Sequence, residues 1–272
     1  MIKRIFEILK QDGIGLLVKR IFIKIRKLLI RKISFVKQNF FYKRNFEYIN
    51  MIFANKSGLE IGGPSNIFRD ERFLPLYQIV KELDGCNFSN NTIWEGNIDF
   101  LKKYDYYNNK KGVQYISEAT NLSFLPDGKY DFVISSNCLE HIANPLKAIG
   151  EWIRVIKNGG SLLLILPNKK YCFDHNRQVT SFSHLMIDLK TNIKEDDLTH
   201  IYEILELHDL EMDESAGSFE QFRERSFLNF QNRALHQHIF NIVVLKEIFS
   251  YFKLEVLLTY EDKEFIILGK KI

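Results

Sequence analysis

Along residues 4–41, RIFEILKQDGIGLLVKRIFIKIRKLLIRKISFVKQNFF, apolar side chains recur at three- and four-residue steps with Lys and Arg between them. That rhythm predicts one or two amphipathic helices, broken near Gly13 and Gly15. No uncharged stretch approaches the roughly 20 residues a membrane span needs, and the apolar run from Gly13 to Val18 is short even for a signal-peptide core. After Phe53 the rhythm changes to alternating strand and helix signals, the mark of an α/β sheet. Strands are predicted at Leu59–Ile61, Tyr130–Ser135 and Ser161–Leu166. A helix from Pro145 to Ile156 carries Leu146, Ile149, Ile153 and Ile156 on one side and is closed by the turn KNGG. A helix near Ile242–Phe252 precedes two strands, Leu254–Tyr260 and Glu264–Gly269. The short acidic turn EDK between them makes an antiparallel hairpin.

At 272 residues and 46% apolar composition the chain can bury the core of one main domain. Its three cysteines, Cys86, Cys138 and Cys172, lack CxxC spacing, which argues against a disulfide framework or a thiolate zinc site and fits a reducing, cytoplasmic compartment. Charge divides the chain more sharply than composition does. Residues 1–47 hold thirteen Lys and Arg against three acidic residues, a net of +10, which leaves −6 for the rest of a chain whose total is +4. A basic helical arm, 1–50, thus precedes a mildly acidic body, 51–272. The arm's apolar stripe either packs on the body or on a second subunit, giving a homo-oligomer, or lies on the anionic inner face of a membrane as a peripheral contact. Nucleic acid is not an expected partner, because the body is acidic.

The chemistry-bearing motifs come in a fixed order. LEIGGPS (59–65) sets an acidic residue and two glycines after the first strand. YDFVISSNCLEHIANPLKAIGEWIRVIKNGGSLLLILPN (130–168) holds a Glu-His pair, an Arg-Val-Ile-Lys-Asn-Gly-Gly turn and a closing Pro-Asn. Together with the terminal hairpin, this set closely resembles the class I, Rossmann-like, S-adenosylmethionine-dependent methyltransferases, over about Gly58 to Asn168 and the C-terminus. More loosely, the layout resembles bacterial methyltransferases of surface-polysaccharide gene clusters. The resemblance implies an α/β Rossmann-like sheet with an antiparallel C-terminal hairpin and a bound S-adenosyl-L-methionine. Gly62 and Gly63 would let the backbone approach the ligand without Cβ clashes, with Pro64 and Ser65 following, and Glu60 would accept from its ammonium, directly or through water. The family's glycines are more often spaced GxGxG; here they are adjacent. Asp84, with Glu82 as runner-up, is the expected ribose acceptor at the end of strand two. Ala119 and Thr120, beside Glu118 and Leu122, are expected at the adenine. Asn137, Cys138, Glu140 and His141 follow the fourth strand, at the sheet edge where α/β proteins bind ligands. His141 suits proton transfer, and equally orients the cofactor loop or caps a helix. The absence of GxGxxG disfavours a nicotinamide-dependent oxidoreductase.

Methyl transfer is an in-line displacement, so the enzyme must align the acceptor and take the proton of a hydroxyl. The cover over the cofactor is expected from the mostly helical insertion 169–238, which holds six of the seven histidines. The base candidates are His175, His141, His184 and His200. His184 and Asp188 are four apart and His200 and Glu203 three apart, a spacing that permits a divalent metal site, acid/base or acceptor contacts, or plain structural pairs. His236 and His238 face opposite ways on a strand, so at most one enters the site. Arg177 offers a clamp for a carboxylate or phosphate. The expected function is O-methylation of a sugar or glycan acceptor, lipid-linked or anionic, in surface polysaccharide biosynthesis. The alternatives are methylation of a phosphoryl-type group or small metabolite, or an inactive cofactor-binding scaffold for a glycosyltransferase complex.

Overall fold

A computed structural model describes residue 25, residue 29 and residues 32–34, 36–69, 73–98 and 103–272. The helices expected before residue 25 lie outside the described residues. The chain divides into two units, Met1–Glu47 and Tyr48–Ile272. In the first, the described residues are helical, and Ile25, Leu29, Ile33, Val36 and Phe40 are exposed at steps of three and four.

The second unit is built on a seven-stranded sheet. Its strands are β1 (Ser57–Ile61), β2 (Glu82–Asn87), β3 (Gln114–Ile116), β4 (Tyr130–Ser136), β5 (Ile156–Pro167), β6 (Leu254–Glu261) and β7 (Glu264–Lys271). Their spatial order is β6-β7-β5-β4-β1-β2-β3. The inner strands pair in parallel, whereas β7 enters antiparallel between β6 and β5. The order reverses between β1 and β4, which opens a crevice at their carboxyl ends. Strands covered on both faces must be apolar throughout, as Phe132–Ile134 and Leu162–Leu166 are, all essentially inaccessible.

Helix α1 (Pro145–Val155) connects β4 to β5. Asn144 caps it by accepting from the Lys147 amide at 3.1 Å, and Pro145 supplies the preset φ of a first helical position. Its buried stripe is Leu146, Ile149, Trp152 and Val155, not the expected row through Ile153 and Ile156. Ile156 already belongs to β5, whose pairing with β4 jumps from Tyr130↔Ile156 to Phe132↔Ser161. Lys157–Gly160 therefore bulge, with Gly159 at φ +77° where a side chain is disfavoured.

Between β2 and β3 two small hairpins, Asn91–Thr92 with Gly96–Asn97 and Tyr104–Tyr107 with Lys110–Gly112, occupy the place of a connecting helix. After β5 come α2 (Phe182–Thr191), whose Leu185 joins the main core, and then α3 (Ile201–Leu207) and α4 (Phe219–Phe227), which share a small second core through Ile204, Phe222 and Leu235. Helix α5 (Ile242–Tyr251) returns the chain to β6. Among the described residues no helix is long and apolar enough to cross a membrane.

Candidate active site

A cleft of about 860 Å³ lies over the carboxyl ends of the parallel strands, within the range of a cofactor-sized pocket. Its floor begins with the loop after β1. Gly62, at φ +79°, is the conformational requirement there, and a Cβ would also stand 2.8 Å from Cys138 Sγ. Pro64 and Ser65 line the cleft with it. Gly63 has a different reason to be glycine. A side chain would run into the Glu60 carboxyl carbon and the Tyr104 hydroxyl, each 2.2 Å from its would-be Cβ.

Glu60 is fully buried and does not line the cleft. Oε1 accepts from the Ser65 amide at 3.0 Å and hydroxyl at 2.7 Å, and Oε2 from the hydroxyls of Tyr77 and Tyr104, both at 2.7 Å. Burial pushes the carboxyl up while these bonds pull it down, and burial beside Glu60 pushes both phenols well up, so they stay donors. The expectation that Glu60 meets the ligand's ammonium is corrected. Both oxygens are consumed by the protein, and the residue shapes the loop from beneath.

Asp84 is corrected for a related reason. It sits three residues before the end of β2, accepts from the Val113 amide at 2.8 Å and the Tyr130 hydroxyl at 2.6 Å, and lies outside the cleft. Asn87 ends the strand instead. Its Nδ2 donates to Gly63 O at 3.0 Å, while Oδ1 is buried without a partner in the wall of the cleft. On β3's far side Ala119 lines the cleft, its carbonyl accepting from Trp152 Nε1 at 2.9 Å; Thr120 lies outside it. Asn137, at φ +48°, and Cys138 turn the chain out of β4 into the cleft.

At the other end stand Glu140, His141 and His236. His236 Nδ1 is bonded to Asp174 Oδ2, and Arg177 Nη1 lies 3.4 Å from Asp174 Oδ1. Burial opposes the charged form of both partners, but their mutual attraction wins: Asp174 is held below the carboxylate range and His236 above that of a free imidazole. Glu140 is buried with neither oxygen hydrogen-bonded, and desolvation pushes it up to about 7. His141 faces the His236 ring edge-on at 4.7 Å and shares its Nδ1 with Leu235 O at 3.0 Å; burial lowers it to about 3, so it is neutral. Trp94 and Phe173 close the apolar side, 5.1 Å from His141 and 4.7 Å from His236.

Three expected bases are elsewhere. His175 pairs with Asp209 at 2.8 Å on the surface, and His184 and His200 meet each other away from the cleft. Glu203, grouped with them from its spacing, lies 3.3 Å from Arg177 Nε and 3.8 Å from His200 Nδ1. Arg177 is no clamp for an acceptor, since it is buried and spends its guanidinium on Asp174, Glu203 and the His236 and Gln237 carbonyls. His236 enters the cleft and His238 does not.

The strand order and the cleft at its switch point define a Rossmann-like α/β fold of the class I methyltransferase type. Residues 77–164, from the turn before β2 into β5, match the family model described as a methyltransferase domain. No curated protein matches the chain. Solved structures with a similar course include an S-adenosylmethionine-dependent methyltransferase from Aquifex aeolicus (14% identity, 85% of this chain and 89% of that chain, TM-score 0.46). Another, from Mesorhizobium loti, shares 7% identity over 83% of this chain and 97% of that one, with TM-score 0.47. Over residues 77–164 the chain is thus similar to a methyltransferase domain, for which S-adenosylmethionine is the expected cofactor. The cleft fits that cofactor: bare backbone at Gly62, an orphaned buried acceptor at Asn87 and a flat apolar edge at Ala119.

Proposed function

We propose that the enzyme O-methylates a sugar or glycan acceptor, in surface polysaccharide assembly, with His236 as general base. The observation that carries this reading is the His236–Asp174 pair, buried at the cleft wall and backed by Arg177. When bound, S-adenosylmethionine supplies a methyl group on a positively charged sulfur. The chain's own task is to hold the cofactor with the loop 62–65, Asn87 and Ala119, to seat the acceptor between Trp94 and Phe173, and to take the hydroxyl proton on His236 Nε2. Asp174 fixes the tautomer and favours the imidazolium that forms. The Glu140 carboxyl, without an internal partner, is free to bond an acceptor hydroxyl.

An alcohol needs such a base, which supports a hydroxyl over a neutral amine. An anionic acceptor is less well served among the described residues: Arg233 pairs with Glu118 and Glu195, and Arg225 with Asp213. Methylation of a phosphoryl-type group or a small metabolite is therefore the second choice. We also propose that the basic arm rests on an anionic bilayer, where a lipid-linked glycan would be presented, because it joins exposed apolar residues to a net charge of +10.

The test is to incubate the enzyme with S-adenosylmethionine and a panel of sugar nucleotides and lipid-linked glycans, then read S-adenosylhomocysteine release and the mass gain of one methyl. His236→Asn should lower kcat by about 10²–10⁴-fold with adenosyl-ligand affinity unchanged. Unchanged turnover in His236→Asn removes the base assignment. No turnover with any acceptor, alongside normal cofactor binding, favours the scaffold alternative.

A further inference from the structure

We propose that His184, His200, His238 and Asp188 bind a zinc ion at a site separate from the methyl-transfer cleft. One ring nitrogen of each histidine lies within 4.8 Å of the others. His184 Nε2 is 3.2 Å from His200 Nε2, and Asp188 Oδ2 is 3.4 Å from His184 Nε2. Four ligand atoms held tetrahedrally by bonds of about 2.0–2.1 Å stand about 3.3 Å from one another. The separations here are those of donors arranged around an ion.

Hydrogen bonding alone does not satisfy the cluster. Asp188 Oδ2 and His238 Nδ1 are buried without a partner, in residues 6% and 1% exposed. An orphaned carboxylate oxygen beside three imidazoles forfeits the bonds it had in water, and a cation that accepts its lone pair restores the balance. The surroundings also suit metal ligands. His238 Nε2 lies 3.1 Å from the Ala143 carbonyl, and Asn144 Nδ2 donates to the Asp188 carbonyl at 2.9 Å, so the ligand-bearing backbone is tied to the start of α1.

The donor set selects the metal. Three imidazoles and one carboxylate suit zinc, whereas magnesium and calcium take oxygen ligands and water. Four protein ligands close the coordination sphere, so the ion would be structural. It would staple α2, which carries His184 and Asp188, to His200 at the start of α3 and to the connecting segment of His238 before α5. A second trio among the described residues, Glu140, His141 and His236, lines the methyl-transfer cleft and offers three donors rather than four.

The full chain, stripped with a strong chelator and dialysed, should take up one equivalent of Zn²⁺ in calorimetry and melt at a higher temperature when loaded. His184→Ala and His200→Ala should each weaken zinc affinity at least about 100-fold, while His236→Asn leaves it unchanged. Circular dichroism and S-adenosylhomocysteine binding report whether each variant is folded. Should the histidine variants fail to fold, Co²⁺ loading of the wild type decides: intense visible bands of a four-coordinate ion uphold the site, and the weak bands of a six-coordinate ion overturn it. Zinc binding that is absent in the wild type, survives both alanine variants, or is lost only with His236 also overturns it.

Discussion

At the scale of single residues, the cofactor end and the acceptor end are governed by opposite uses of a buried carboxylate. Glu60 has four donors and touches nothing outside the protein; Glu140 has none and faces the cleft. Tyr104→Phe leaves one Glu60 oxygen short of a donor, and should cost about 1–3 kcal/mol in urea-melt stability, with a smaller loss of adenosyl-ligand affinity from the loosened loop. Asn87→Ala should instead lower S-adenosylhomocysteine affinity, by about 3–10-fold for one neutral hydrogen bond, with Asp84→Asn read alongside as a variant that lowers stability and spares affinity. For catalysis the sign of the pH dependence follows from His236. A base works deprotonated and Asp174 raises its pKa, so kcat should climb with pH through a limb above the range of an ordinary histidine. Asp174→Asn removes the raising partner and should move that limb to lower pH. A limb that stays in place would assign it to another group.

At the scale of elements, the central sheet was legible because burial on both faces writes continuous apolar runs, and YDFVIS and SLLLIL need no tertiary information to be recognised. The terminal hairpin was legible from its short turn. Strand β2 was not, since ELDGCN carries two acidic residues, a glycine and an asparagine. Its frame decides which side chain ends the strand, and a three-residue error exchanged Asn87 for Asp84. The site's aromatic donors were hidden for another reason: Tyr77 and Tyr104 reach Glu60 across 17 and 44 residues, from a helical turn and a small hairpin that no periodicity marks. His236 was visible only as one of an alternating pair. Its partner Asp174 lies 62 residues earlier, a pairing that chain folding alone supplies.

At the scale of the whole molecule, the charge division between arm and body makes one expectation measurable. The full chain should float with anionic liposomes and release with salt over the range in which the Debye length falls from about 10 Å to about 3 Å, while residues 48–272 alone should stay at the bottom of the gradient. Flotation of the shortened chain would place membrane contact on the body. The order of the sheet has a consequence for how the protein is made. β5 is synthesised early, yet its outer edge is closed only by β7, which cannot arrive until everything from Asn168 to Lys263 has left the ribosome. Throughout that interval Leu162–Leu166 present an apolar strand with unpaired backbone, the kind of edge that templates aggregation. Nascent chains halted within the cover should therefore partition into inclusion bodies or onto holdase chaperones. Solubility on a truncation ladder should return abruptly once Lys271 is included.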